Sequence, residues 1–143
     1  AVDGTYVELS YADEDKRHAE VAKVLSQIPV ARALGAGCMG SETTNMAKQP
    51  TVSRREAQEA LLRSLGEILP VCEEQGVLFA VECVYYHAMN TPEAVKMVLD
   101  TIASPTLLVT TNIPDSQYMQ SMESDPRTKE TIDDIIKNLR ESS

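Results

Sequence analysis

Gly76-Val77-Leu78-Phe79-Ala80-Val81-Glu82 is the stretch that decides the fold. Apolar residues run without interruption from a glycine to a carboxylate. A strand with one wet face would alternate, whereas a continuous run of this kind predicts a strand covered on both sides, as in a parallel sheet. Upstream, Ser53-Arg54-Arg55-Glu56 forms a capping box, in which Ser53 accepts from the Glu56 backbone and Glu56 reaches back. The helix it opens carries Ala57, Leu61, Leu65, Ile68 and Cys72 on one face, and Gly76 closes it. Downstream, Thr91-Pro92-Glu93 starts another helix, with Thr as N-cap and Pro at the first helical position. That helix runs to about Ile102, and Ser104-Pro105 stops it.

The same alternation extends outward. Thr5-Tyr6-Val7-Glu8-Leu9 alternates between Gly4 and Ser10 and predicts a first strand. Val21, Val24, Leu25, Ile28 and Ala31 fall at helical spacing within residues 13–34. Asp13 and Glu14 suit the start of that helix, and Gly35 its end. Pro29 should kink or split it, and Pro70 is a second internal proline. Residues 36–41 and 106–111 predict two further strands, and Ser124-Asp125-Pro126 opens a last helix with Ile132, Ile135, Ile136 and Leu139 on one face. Four βα units in succession imply parallel strands joined by right-handed crossovers. No linker rich in Gly or Ser interrupts them, so residues 1–143 read as one domain. In such folds the working loops follow the C-terminal ends of the strands. Here these are residues 11–12, 42–52, 83–90 and 112–124, and the second and fourth are long for the class.

Composition sets the boundaries. The chain has 143 residues, 43% hydrophobic and 24% charged, with 13 Lys+Arg against 22 Asp+Glu for a net charge of −9. A nucleic acid or an anionic membrane surface would need a basic face, so neither is an expected partner. No apolar run approaches the roughly 20 residues of a membrane span, and no leader-like segment opens the chain. Cys38, Cys72 and Cys83 are odd in number and lack CxxC spacing, which argues against a disulfide framework or a structural zinc site and for a reducing cytoplasm. Neither GxxxxGK[ST] nor GxGxxG occurs, so no nucleotide cofactor is expected.

Glu82 is the most informative candidate. A carboxylate at the end of a buried strand is costly unless it is paired, protonated or bound to a cation. Glu42, in Gly40-Ser41-Glu42-Thr43, holds the same place on the preceding strand, and Asn112 holds it on the following one. Oxygen donors converging on one cavity suit Mg²⁺ or Mn²⁺, and a neighbouring His would suit Mn²⁺, Co²⁺ or Zn²⁺. His87 lies five residues beyond Glu82 in the same loop. His18, among charged residues at a helix start, reads as solvated, and nothing marks Cys83 as a nucleophile.

Three stretches resemble the sugar phosphate isomerase/epimerase family, the xylose isomerase-like branch of the TIM barrels. Ala31-Arg32-Ala33-Leu34-Gly35-Ala36 with Gly40-Ser41-Glu42-Thr43 is similar to its A-x-x-L-G-A…G-T-E-T-G pattern. Leu69 through Glu82 is similar to L-x-x-A-E-x-H-G-V…A-x-E-P. His87-Ala88-Met89-Asn90-Thr91-Pro92-Glu93 with Ser104-Pro105-Thr106-Leu107 is similar to H-x-x-N-T-P-E…S-P-N-L. The resemblance implies a (βα)4 portion of a TIM barrel with outer helices, matching the third to sixth strands. It also implies a divalent-metal-dependent isomerase or epimerase of a small sugar or sugar phosphate. Glu82 falls on the first metal position and on the proton-moving carboxylate, and Glu42 and His87 become substrate contacts. The second metal position falls on Asn112, where the family has Asp, with Asp115 three residues on as a substitute. A full barrel takes roughly 250 residues, so this chain is a truncated or partial one. Exposed sheet edges would then favour a homo-oligomer. The alternative expectation is a non-catalytic half-barrel or binding module that self-associates.

Overall fold

A computed structural model of the chain describes residues 2–111. Strands β1 (Val2–Gly4), β2 (Cys38–Glu42), β3 (Leu78–Cys83) and β4 (Leu107–Thr111) form one sheet in the order β1-β2-β3-β4. Every neighbouring pair is parallel. Helices α1 (Glu14–Ala33), α2 (Arg54–Gln75) and α3 (Pro92–Thr101) supply the crossovers. The expected helix after Ser124 lies outside the described residues.

Period-two alternation sorts each strand into two faces. Met39, Phe79, Val81, Cys83, Leu107 and Val109 are buried in the core with Val24 and Ile28 of α1, Leu61, Leu65 and Ile68 of α2, and Val95 and Val98 of α3. The opposite face carries Gly40 and Glu42 on β2, Ala80 and Glu82 on β3, and Thr110 on β4. The apolar run at 77–81 is therefore split, with Phe79 and Val81 facing the helices and Ala80 facing the inner side.

Each helix starts where its cap residue dictates. Asp13 accepts from the Lys16 amide, Ser53 and Glu56 form the reciprocal capping box, and Thr91 accepts from the Ala94 amide. Gly35 and Gly76, at φ +76° and +68°, follow α1 and α2 in the left-handed conformation that glycine adopts without a Cβ penalty.

Two expectations change. Pro29 does not split its helix: α1 runs on through it, as α2 does through Pro70. Buried neighbours on either side, Ile28 with Ala31 and Leu69 with Cys72, hold each proline turn on the core. That burial offsets the roughly 3 kcal/mol cost of an internal proline. The first strand is not residues 5–9 but Val2–Gly4. The ladder extends to the Thr5 amide, which donates to the Gly40 carbonyl. Beyond it the backbone turns to side chains, Glu8 N–H to Glu20 and Ser10 N–H to Thr44 Oγ1. Val7 and Leu9 are buried as their alternation requires, but in a pinned loop rather than in the sheet.

A charged cluster sits between α1 and α2. Arg17 is buried, with its guanidinium on Glu14 at 2.7 Å and Glu67 at 2.9 Å, and it donates to Ser64 Oγ at 3.3 Å. Ser64 in turn donates to the Leu9 carbonyl at 2.6 Å, tying the loop after β1 to α2. His18, expected to be solvated, is half-exposed and lies within 3.6 Å of both Glu14 and Glu67. Among the described residues no helix is long and apolar enough to cross a membrane.

Candidate functional site

Parallel register brings the inner-face residues into rows. Gly4, Gly40, Ala80 and Leu108 form one row. Glu42, Glu82 and Thr110 form the next, at the C-terminal ends of β2, β3 and β4. Small residues below and polar residues above leave a cavity of about 270 Å³. Gly4, Gly40 and Ala80 make its floor, Glu42, Glu82 and Thr110 its polar wall, and Thr5 and Tyr6 its flank. A bulky side chain at any floor position would fill it. The sheet thus places both predicted carboxylates in one cavity, on the face where such folds bind ligands.

The loops above the strands are laced together. After β2, a short 3₁₀ turn (Met46–Lys48) is capped by Asn45. An antiparallel bridge joins Asn45 to His87. Met46 N–H donates to the Tyr86 carbonyl at 3.1 Å and Ala88 N–H to the Thr44 carbonyl at 2.9 Å. Thr43 Oγ1 accepts from Met89 N–H, and Thr44 Oγ1 accepts from Ser10 N–H. Gln49 completes the lacing by accepting from Ala12 N–H and donating to the Ser10 carbonyl. Both backbone and buried threonines therefore fix how the loop after β3 meets the end of β2.

This clasp carries His87 inward. Its side chain is 6% exposed, and Nε2 lies 3.7 Å from Glu42 Oε2. The Tyr86 ring meets the imidazole edge-on at a centroid distance of 4.8 Å. Nδ1 is buried and closes no hydrogen bond of normal geometry among the described residues. The nearby Thr43 backbone still favours the charged ring. Burial pushes the His87 pKa below the ordinary histidine value, with the Glu42 charge acting in the opposite direction. The sequence suggests His87 as a substrate contact in the loop after Glu82; the structure pairs it with Glu42, and it is not among the residues that line the cavity.

Asn112 and Asp115 lie outside the described residues. The sequence suggests Asn112 at the strand-end place matching Glu82, but the register puts Thr110 there, which only strand pairing reveals. Cys83 follows Glu82 but faces the helices, and burial pushes its thiol up to about 12, so it takes no part in the cavity. Among the described residues, no group of three or more His, Cys, Asp or Glu side chains converges as a cation site. Glu42 and Glu82 are the carboxylates that line the cavity among the described residues.

The family model for xylose isomerase-like TIM barrels matches residues 2–141. No curated protein sequence matches the chain. Among solved structures, the 3-keto-D-glucoside 4-epimerase YcjR from E. coli superposes with a TM-score of 0.73 at 12% identity, over 97% of this chain and 56% of its own. The IOLI protein, solved with a bound zinc atom, gives 0.65 at 16% identity over 75% and 39%. A D-tagatose 3-epimerase-like protein gives 0.64 at 17% identity over 76% and 43%. The chain thus spans about half the length of these structures or less, and at such identities the likeness is one of fold. The parallel βα order, the inner-face cavity at the strand ends and the match along almost the whole sequence agree, and the chain belongs to the xylose isomerase-like TIM barrel family.

Proposed function

We propose that the chain is a substrate-binding portion of a sugar isomerase or epimerase that works with a divalent cation. The observation that supports this most is the register pair Glu42–Glu82 at the strand ends, opening on a cavity floored by Gly4, Gly40 and Ala80. Glu82 serves as a cation ligand and as the group that moves a proton at the carbon beside the substrate carbonyl. Asn112 and Asp115 would complete its side of the donor set. The divalent cation these groups would hold, Mn²⁺, Mg²⁺, Co²⁺ or Zn²⁺, would supply polarisation of the substrate carbonyl and hydroxyl oxygens. Glu42 accepts from sugar hydroxyls, Thr110 accepts from or donates to them, and His87 stands beside Glu42. The substrate is a small sugar or sugar phosphate. The free thiols of Cys38, Cys72 and Cys83 fit a reducing compartment.

Calorimetric titration with Mn²⁺ of the wild type and Glu82→Gln tests this reading. One-site binding that is lost in the variant supports it, and absence of binding in both overturns it for this chain. A second reading draws on the lack of any three-donor cluster among the described residues. It is a non-catalytic half-barrel that self-associates through the outer strands β1 and β4. Sedimentation of the purified chain as a homodimer, with no cation affinity, would favour it.

A further inference from the structure

The geometry points to His87 as a positioning residue that holds the Glu42 carboxylate at the cavity wall, beside Glu82, so that it can accept hydroxyl hydrogens of a polyol. The assignment of a polyol rests on the function proposed above; the pairing of His87 with Glu42 does not.

The clasp gives the imidazole little freedom. The His87 backbone is held by the bridge to Asn45, by donation of its own amide to the Val84 carbonyl at 3.0 Å, and by Arg54 Nε donating to its carbonyl at 3.3 Å. Its ring is packed by Tyr86 and almost fully buried. Glu42, by contrast, has a side chain 39% exposed on a strand end, and a long carboxylate there keeps several rotamers. The fixed partner sets the mobile one. At 3.7 Å the contact is an electrostatic pairing rather than a hydrogen bond. It acts in a site partly shielded from water, where such attraction is stronger than at the surface.

Among the described residues, two further charges act on the ring. Glu8, from the loop after β1, favours the charged imidazole, and Lys48, from the turn after β2, opposes it. Lys48 itself is ion-paired with Glu8, so these two largely offset each other. Arg54 of α2 reaches the His87 carbonyl, not the ring. Among the described groups Glu42 is left as the main charged influence on the imidazole.

The test uses the full chain, by NMR of the histidine ring nitrogens and by titration with xylitol as the polyol probe. In Glu42→Gln the midpoint of the His87 ring titration should fall, because the Glu42 charge favours the protonated ring. An unmoved His87 midpoint overturns the pairing. For xylitol, His87→Leu should weaken binding about tenfold. His87→Gln, which keeps an N–H donor, should lose less. The double variant Glu42→Gln/His87→Leu should bind no more weakly than Glu42→Gln alone, because His87 acts only through Glu42. Additive losses overturn the positioning role. If His87→Leu does not fold, the Glu42→Gln ring titration still decides the pairing. Failure of every form, wild type included, to bind xylitol would count against the sugar reading, and the His87 midpoint would decide the pairing by itself.

Discussion

Glu42 and Glu82 are register partners at the ends of adjacent parallel strands. Neighbouring strands lie about 4.8 Å apart, so both carboxylates start from one edge of the same cavity. Two residues earlier on each strand, Gly40 pairs with Ala80, and the space above those small residues is what the carboxylates border. The pairing therefore couples a chemical feature to a steric one. Polar groups reach a ligand because Gly40 and Ala80 beneath them carry little or no side chain.

Gly40 is the position where this coupling can be broken without breaking the sheet. A Cβ built there meets only the Ala80 carbonyl oxygen, at an ordinary 3.8 Å. Gly40→Ala should fold normally. Gly40→Leu should keep a native circular dichroism spectrum and melting temperature within a few degrees, while xylitol affinity falls at least about tenfold as the side chain enters the cavity. Xylitol affinity unchanged in Gly40→Leu would mean that the polyol binds elsewhere.

The N-terminus of α2 rests on a single residue. Ser53 accepts from the Glu56 amide at 3.2 Å, and the Glu56 carboxylate accepts from the Ser53 amide at 2.9 Å. Ser53→Ala removes the first bond and loosens the second. The expected cost is about 1 kcal/mol, a fall in melting temperature of about 2–4 °C by differential scanning calorimetry. An unchanged melting temperature would show that the helix start is held by packing alone.

How much of this was legible in the sequence follows from where the information sits. Caps at Asp13, Ser53 and Thr91 are local, decided by a side chain and an amide three residues away, and they were readable. The inner and outer faces of β2 and β3 follow from period two, so Glu42 and Glu82 could be placed at matching strand ends. The end of β1 could not be read. Val7 and Leu9 alternate like a strand, but the amides around them are captured by Glu20 and Thr44, residues distant in sequence. The His87–Glu42 contact was hidden for the same reason, since it depends on a clasp between two loops separated by the whole of α2. Proline rules predict a kink or a split at Pro29, and tertiary burial keeps α1 from splitting there.

Thiol chemistry gives a check on which way β3 faces. Burial pushes Cys83 up to about 12 and Cys72 up to about 11, and Cys38 is raised in the same direction. A thiol that stays protonated is a poor nucleophile. At pH 8 the folded chain should react slowly with 5,5′-dithiobis(2-nitrobenzoate), and half-exposed Cys38 should react first. All three should react rapidly once the chain is unfolded in guanidinium. Fast labelling of Cys83 in the native protein would place it in the cavity rather than against the helices.

Acid should unlock the junction of α1 and α2 through Glu14. Hydrogen bonding from Arg17, with Arg63 adding to it, lowers the Glu14 pKa from 4.5 to about 2. A carboxylate whose folded pKa is depressed contributes stability that is present above its unfolded value. That contribution is lost as the pH falls from about 4.5 toward about 2. The group is exposed, so salt and water screen the effect, and it should weaken further at high ionic strength. Urea unfolding of the wild type should therefore show a midpoint that drops across this acid window. Glu14→Gln, which has no proton to gain at this position, should start lower at pH 7 and show a shallower drop. Superimposable acid limbs for the two proteins would mean that the Arg17 pairing does not distinguish the folded from the unfolded state, and that Ser64 and Glu67 hold Arg17 without it.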